Sequence, residues 1–296
     1  MKSSVTVIIP NWNGQAIFEK YLKDTVRVLS GIPIIIVDDG STDGSVTYVR
    51  KFFPEITVIT RKEHQGFSST VNAGVKAAET DIVILLNTDV VPEKGFLEPL
   101  LAHFENKNVF AVGCMDKSFE NGKVVFRGRG VGWWEKGFFV HARGEVDSND
   151  TAWVSGGSGA FRRSFWDLLG GMDERFNPFY WEDIDLSYRA KAKGYAVMFE
   201  PKSLVLHFHE EGKILTSYEK KQIEMIAFRN QLYFVWKHAS CKQLVLHILF
   251  LPVRIMKKVL RGDTIFFAGF LKACGGLFSI FWERVRVCVL PRTTLS

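Results

Sequence analysis

Apolar and polar positions come in alternating blocks along the first 116 residues. The nearly continuous apolar runs "VTVIIP" (5–10), "PIIIVDD" (33–39), "TVIT" (57–60), "DIVILLNTD" (81–89) and "VFAVGC" (109–114) read as strands covered on both faces. Between them lie helical patterns. Ile17, Tyr21, Leu22, Thr25, Val26 and Leu29, for example, repeat at the three-and-four spacing of an amphipathic helix. Strand, helix, strand, helix in succession predicts an α/β fold with a mostly parallel sheet flanked by helices. Three of the predicted strands run into polar residues: Asn11 and Asn13 after the first, Asp38 and Asp39 after the second, Asn87 and Asp89 after the fourth. In a parallel sheet these ends share the carboxyl edge, where open α/β folds bind ligands.

Composition adds scale and charge. The chain has 296 residues, 47% hydrophobic and 14% aromatic, enough for one large core and an appendage. The four cysteines, Cys114, Cys241, Cys274 and Cys288, have no CxxC spacing, which excludes a zinc knuckle and suggests reduced thiols in a cytosolic setting. Residues 1–10 lack the apolar stretch of a signal peptide and read as the first strand.

The net charge of +6 is unevenly placed: from Lys220 onward there are 13 Lys+Arg against 3 Asp+Glu, leaving 25 against 29 before it. That basic end also holds "LVLHILFLPVRIMKKVLRG" and "TIFFAGFLKACGGLFSIFWERVR", apolar runs studded with Lys and Arg. Two domains follow, 1–215 and a helical amphipathic extension, 216–296. The extension reads as helices lying on an anionic membrane surface, with a buried helical hairpin as the plainer alternative. A span over 264–282 would place Lys272 at its centre, at about 2.5 to 3.5 kcal/mol on insertion scales. Nucleic acid is not the expected partner, because the basic residues sit among Leu, Phe and Ile and no nucleic-acid motif accompanies them.

Each polar cluster admits a plain and a chemical reading. "VDDGSTDGS" (37–45) fits a turn and helix cap, and the chain has no P-loop or dinucleotide glycine motif. Asn87, Thr88 and Asp89 fit a solvated turn, but a carboxylate fixed at the end of a buried strand also suits Mg²⁺ or Mn²⁺. Glu182, Asp183 and Asp185 stand at a helix start, where acids favour the first turn and Asp185 can pair with Arg189. Glu182 and Asp183 also follow Phe179, Tyr180 and Trp181, whose rings could form a sugar platform and raise a carboxylate pKa toward that of a base. In "LVLHFHE" (204–210), His207 and His209 share a face if the segment is a strand, and a neutral imidazole can complete a metal shell.

Taken in order, "VTVIIPNWNG", "IIIVDDGSTDGS", "GFSSTVNAGVKAA", "ILLNTDVVP", "GGSGAFRRSFWDLLGGMDERF", "YWEDIDLSYRAKAKGY" and "VLHFH" resemble the family 2 glycosyltransferases of GT-A fold, especially the bacterial rhamnosyltransferase-like branch. The resemblance covers about residues 4–211. It implies that Pro10, Asn11 and Asn13 line a nucleotide pocket and that Asp38 and Asp39 meet base and ribose. Asn72 and Gly74 fall on the helix beside the donor. Asn87, Thr88 and Asp89 occupy the DxD-like position, with Asp89 and His207 as ligands of a divalent cation. Glu182 and Asp183 match the ED motif, with Asp183 the catalytic base. Trp133, Trp134, Gly156, Gly157 and Trp181 are candidates for the acceptor side. Two departures stand out: Asn87 replaces the first acid of a strict DxD, and His64 stands where relatives often carry Asn.

The implied reaction is inverting, metal-dependent transfer from a nucleotide-diphospho-sugar to a hydroxyl of a glycan or lipid-linked acceptor, in polysaccharide synthesis at the inner membrane face. The rival readings are a sugar-phosphate nucleotidyltransferase, whose glycine-rich first loop is absent from "IIPNWNGQ", and a non-catalytic carbohydrate-binding protein, which need not keep Asp89 and Asp183.

Overall fold

A computed structural model describes residues 4–120 and 122–289. The five predicted strands form: β1 (Val5–Asn11), β2 (Ile34–Asp38), β3 (Thr57–Thr60), β4 (Ile82–Leu86) and β6 (Val109–Glu120). The intervening helices are α1 (Gln15–Val28), α2 (Ser45–Phe52), α3 (Phe67–Ala77) and α4 (Leu97–Ala102). Four more strands join the same sheet: β5 (Val90–Pro92), β7 (Lys123–Arg127), β10 (Ser158–Arg162) and β11 (Ala196–His207), of which only the end of β11 falls in a segment read as a candidate strand.

Among the described residues the sheet has nine strands in the order β3-β2-β1-β4-β10-β6-β11-β5, with β7 paired to β6. β1, β2, β3 and β4 run parallel. β10 then enters antiparallel between β4 and β6, so the sheet is mostly parallel, as expected, and mixed past its centre. β11 is parallel to β6 and antiparallel to the short β5.

Alternating side chains of each central strand feed two cores, as the period of two requires. Val7, Ile9, Ile34, Ile36, Ile82 and Ile84 pack with Phe18, Leu22, Val49 and Leu100 from α1, α2 and α4. Ile8, Ile35, Val37, Val83 and Leu85 pack on the other face with Val71 and Val75 of α3. That second core also takes Trp166 of α5 (Arg163–Leu169) and Leu186 and Ala190 of α6 (Glu182–Ala192). Each such side chain contributes roughly 1.5 to 3 kcal/mol by leaving water. Gly74 lets α3 sit close on the sheet: a Cβ there would lie 2.5 Å from Ile8 Cγ2 and 3.0 Å from Val37 Cγ2.

By packing, residues up to 131 with 142–217 make one compact unit, and 132–141 with the chain from 218 onward a second. The hairpin of β8 (Gly130–Glu135) and β9 (Phe138–Arg143) thus lends its tip to the second unit. The first unit ends with the short α7 (Lys213–Ser217). The rest of the second unit is α8 (Lys220–His238), α9 (Cys241–Leu260), α10 (Ile265–Cys274) and α11 (Leu277–Val289). Ser240 and Gln243 close a reciprocal capping box at the start of α9. No single helix among the described residues is long and apolar enough to cross a membrane. The stretch 264–282 falls on α10 and α11, which bend by 56° at a short break.

Candidate active site

The carboxyl ends of β1, β2 and β4 lie together, as the polar strand termini require. Asn11 sits beside Asp38 in the β1–β2 register and donates from Nδ2 to Asp38 Oδ1 at 2.7 Å. Asp38 also accepts from the Ser41 amide at 3.1 Å and the Ser41 hydroxyl at 2.5 Å. Asn13 adopts a left-handed φ of 51°, and its Oδ1 accepts from the Thr42 amide at 2.7 Å. Asn is among the few residues that enter this region readily. Asn11, Asn13 and Asp38 therefore shape the β2–α2 loop, with Pro10 just before them in register with Val37.

Asp39 is held more tightly still. Its carboxylate accepts from the Gly66 amide at 2.8 Å and the Gln65 amide at 3.0 Å, pairs with His64 Nδ1 at 2.8 Å, and lies 3.5 Å from Arg61. Burial alone would raise its pKa, but His64 and the two backbone amides outweigh burial and hold it below the ordinary carboxylate value. His64, the residue that departs from the family pattern, stacks on Trp12 with centroids 4.1 Å apart. Lys213 Nζ lies over the Trp12 ring, 5.8 Å from its centroid. Trp12 was not singled out by sequence; its one signal was a place inside "PNWNG".

Asn72 and Gly74 have structural partners. The Asn72 side chain donates to Met172 O at 2.8 Å and Glu174 at 3.2 Å and accepts from the Met172 amide at 2.9 Å, stapling α3 to that loop. Gly74 faces Ile8 and Val37, as described above.

At the end of β4 the chain turns through Asn87, Thr88 and Asp89. The Asn87 amide donates to Gly157 O at 2.9 Å, and Gly157 leaves room for the Asn87 side chain, which a Cβ would meet at 2.5 Å. A Cβ on Gly14 would lie 3.7 Å from Thr88 and 2.3 Å from Asn11 Oδ1, so the ends of β1 and β4 touch here. Next along the chain from Gly157, the Gly156 amide donates to Asp183 Oδ2 at 3.4 Å. The two glycines thus connect the Asn87 turn to the start of α6.

That helix start is strained. Tyr180 and Trp181 both have positive φ, 72° and 78°, in residues whose bulk disfavours it. The turn buries Trp181 and delivers Glu182 and Asp183 at the helix entrance, where Asp183 Oδ1 accepts from the Ile184 amide at 2.8 Å. Glu182 is buried with Oε2 unpartnered. Its pKa is raised by burial and by the neighbouring Asp183 charge; burial also raises Asp183, against the backbone amides of Ile184 and Gly156. Asp185 takes the plain role, bonded to Arg189 at 2.7 Å.

Asp89 and His207 meet across β5 and β11, with Asp89 Oδ2 3.6 Å from His207 Nε2. His207 Nδ1 faces Asp116 at 3.0 Å, and Asp116, from β6, is on the same face because β6 and β11 pair in parallel. Burial lowers the His207 pKa, but hydrogen bonds to Asp116 and Asp89 outweigh it and raise it to about 10. β11 ends at His207, so His209 lies in a 3₁₀ turn and not on the strand face expected; its ring nevertheless stacks on His207 at 3.6 Å. Asp116, His207 and His209 offer ligand atoms within 4.8 Å of one another. Asp116 Oδ1 and His209 Nε2 are buried without partners, and the O and N donor set suits a divalent transition ion. Sequence reading missed Asp116, which lies 91 residues from His207 and carries no local signal.

Trp133 and Trp134 fall in the second unit, where Trp134 packs on Phe139 and Phe234.

A family model described as Glycosyl transferase family 2 matches residues 6–169. The chain is 31% identical over 214 residues to a pre-mycofactocin glycosyltransferase of Mycobacterium tuberculosis, covering 69% of this chain and 43% of that one. It is 26% identical over 215 residues to the O-antigen chain rhamnosyltransferase WbaN of Salmonella anatum, covering 70% and 66%. It therefore spans less than half of the first relative's length and about two thirds of the second's. Among solved structures it resembles GalNAc-T7 with UDP, GalNAc and Mn²⁺, at a TM-score of 0.65 and 16% identity over 83% of this chain and 50% of that one. It also resembles the mannosyltransferase PcManGT of Pyrobaculum calidifontis with GDP-Man and Mn²⁺, at 0.58 and 15% over 98% and 81%. At those identities the likeness carries the fold, which is GT-A. The ordered motifs, the sheet that brings them to one edge and a family match over more than half of the chain lead to one conclusion: the protein belongs to glycosyl transferase family 2.

Proposed function

We infer that the enzyme transfers a sugar, with inversion, from a nucleotide-diphospho-sugar to a hydroxyl of a glycan or lipid-linked acceptor in cell-surface polysaccharide synthesis. The observation that carries this reading is the contact chain from Asp89 through Asn87, Gly157 and Gly156 to Asp183, which joins a metal-type donor set to a carboxylate of raised pKa. Asp89 and His207 would hold Mg²⁺ or Mn²⁺, with His209 as a further donor and Asp116 fixing the His207 ring from behind. A cation bound there supplies charge neutralisation for the departing diphosphate.

The remaining work belongs to side chains. Asp183 would take the acceptor hydroxyl proton as attack proceeds, and its raised pKa strengthens it as a base. Glu182, buried beside it, has its own pKa raised by burial and by the Asp183 charge. Asn11, Asn13, Asp38 and Asp39 would frame the nucleotide, with the Trp12–His64 stack as a flat wall for the base.

We place the enzyme peripherally at the inner membrane face. Support comes from the second unit alone: Ile248, Leu249, Met256, Leu260, Phe278 and Trp282 are each more than half exposed, in a segment rich in Lys and Arg. The test is a panel of nucleotide-sugars assayed for release of free nucleotide, with and without Mn²⁺. Release that needs both the correct donor and the cation is expected; no release with any donor would overturn the reading.

A further inference from the structure

The second unit contains a cavity of about 400 Å³, within the range of small-ligand sites. Its wall is one face of α9, because Phe250, Val253, Arg254, Lys257, Lys258 and Arg261 follow three-and-four spacing. The hairpin tip supplies the opposite wall through Glu135, Lys136, Phe138 and Val140. Five cations therefore face one carboxylate around an apolar floor.

The charges are only partly balanced from within. Lys258 pairs with Asp263 at 2.6 Å, and Lys136 lies 3.9 Å from Glu135. Arg254 makes no direct ion pair among the described residues; the Glu135 carboxylate acts on it only through space. Its guanidinium is clamped between the rings of Phe138 and Phe266, with centroids at 4.4 and 4.8 Å, and donates to Gln231 Oε1 at 3.4 Å. Gln231 is itself tied to Phe139 O at 2.9 Å, so the arginine is aimed by a fixed support. Lys257 and Arg261 also make no ion pair among the described residues. A positioned, half-buried arginine beside two unpaired cations calls for a multiply charged anion. The apolar floor calls for something more than the anion.

We propose that this cavity binds the phosphate group of a phosphorylated amphiphile, with Arg254, Lys257 and Arg261 on the phosphate and Phe138, Phe250 and Val253 on its apolar body. A free inorganic anion would leave those apolar walls unused, and a neutral lipid would leave the cations unanswered. The other side of α9 exposes Val245, Ile248, Leu249, Met256 and Leu260, so the same helix that lines the cavity also offers an apolar surface to a bilayer. This inference rests on the membrane-facing reading of the second unit and is independent of sugar transfer.

The experiment uses the full chain in calorimetric titration with dihexanoyl phosphatidic acid below its micelle threshold, dihexanoyl phosphatidylcholine and inorganic phosphate. The phosphatidic acid should bind at least about tenfold more tightly than either of the others, since it alone has both the free phosphate and the chains. Lys257→Gln with Arg261→Gln should weaken that binding about tenfold or more, because both residues are exposed and their loss leaves the fold intact. Lys242→Gln with Lys272→Gln removes equal charge elsewhere and should change it less than about twofold. Equal binding of inorganic phosphate would mean a free-anion site, equal effects of the two variant pairs would mean diffuse charge, and no binding of any ligand would mean no site; each result overturns the proposal. Because no sugar donor is present, nucleotide-release activity and this binding can fail separately.

Discussion

Around Asp38 the carboxylate is fully satisfied: both its oxygens are engaged by Asn11 and Ser41, Asn13 closes the neighbouring turn, and Asn11 Oδ1 is the buried atom of this group left without a partner. Around Asp89 and Asp183 more atoms lack one. Glu182 Oε2, Asp116 Oδ1 and His209 Nε2 are buried and unpartnered, and the backbone at Tyr180 and Trp181 is held at positive φ. Buried polar groups left unpaired cost about 1 to 3 kcal/mol each, so three ionisable side chains left unpaired together mark a place where a ligand completes the structure. The closed cluster is a scaffold that exists before any donor arrives; the open one is finished by what it binds.

The contrast can be broken most directly at Asp183. Replacement by Asn should lower the turnover rate by about 10² to 10⁴ while leaving donor binding nearly unchanged, measured as kcat and donor Kd; near-normal kcat at saturating donor would remove the base assignment. In the wild type, rate should fall as pH drops through the Asp183 pKa, which lies above the ordinary carboxylate value. The sign for stability is opposite. A carboxyl whose folded pKa is raised stabilises the fold below its unfolded pKa of about 3.9, and that contribution is lost as pH rises through the folded value. Activity is therefore gained where this pair begins to strain the fold, and Asp183→Asn should flatten that pH dependence in urea unfolding.

A smaller effect sharpens the metal half. Asp116→Asn should weaken Mn²⁺ affinity about 10- to 100-fold by loosening the His207 ring, whereas Asp183→Asn should leave Mn²⁺ titrations unchanged. Equal effects of the two would mean that no separate ion site exists. The smallest change tests the closed cluster: Asn11→Ala should destabilise the fold by about 1 to 3 kcal/mol, because buried Asp38 loses its amide partner. It should do so with or without Mn²⁺, as a scaffold must.

The strand positions, the carboxyl-edge clustering and the Glu182 helix start were all legible in the chain, because each depends on local period or on a run of residues that only burial explains. β5, β7 and β10 were not, being short, and the antiparallel insertion of β10 has no signature in its own five residues; of the long β11 only its end, in the segment 204–210, was legible. Asn72 and Gly74 show a different limit. Their motif was visible, but the staple to Met172 and the close packing on Ile8 depend on partners that no pattern names.

By itself the sequence determined the periods: which segments are strands or helices, which ends are polar, and that the basic charge gathers beyond residue 220. Tertiary structure alone decided that Asp116 stands behind His207, that Gly156 and Gly157 join Asn87 to Asp183, and that Arg254 is clamped between two phenylalanines. The reason is separation along the chain. Periodicity is a property of neighbours, whereas a site built from residues about a hundred positions apart is fixed by strand register and helix packing, which arise only when the whole sheet closes.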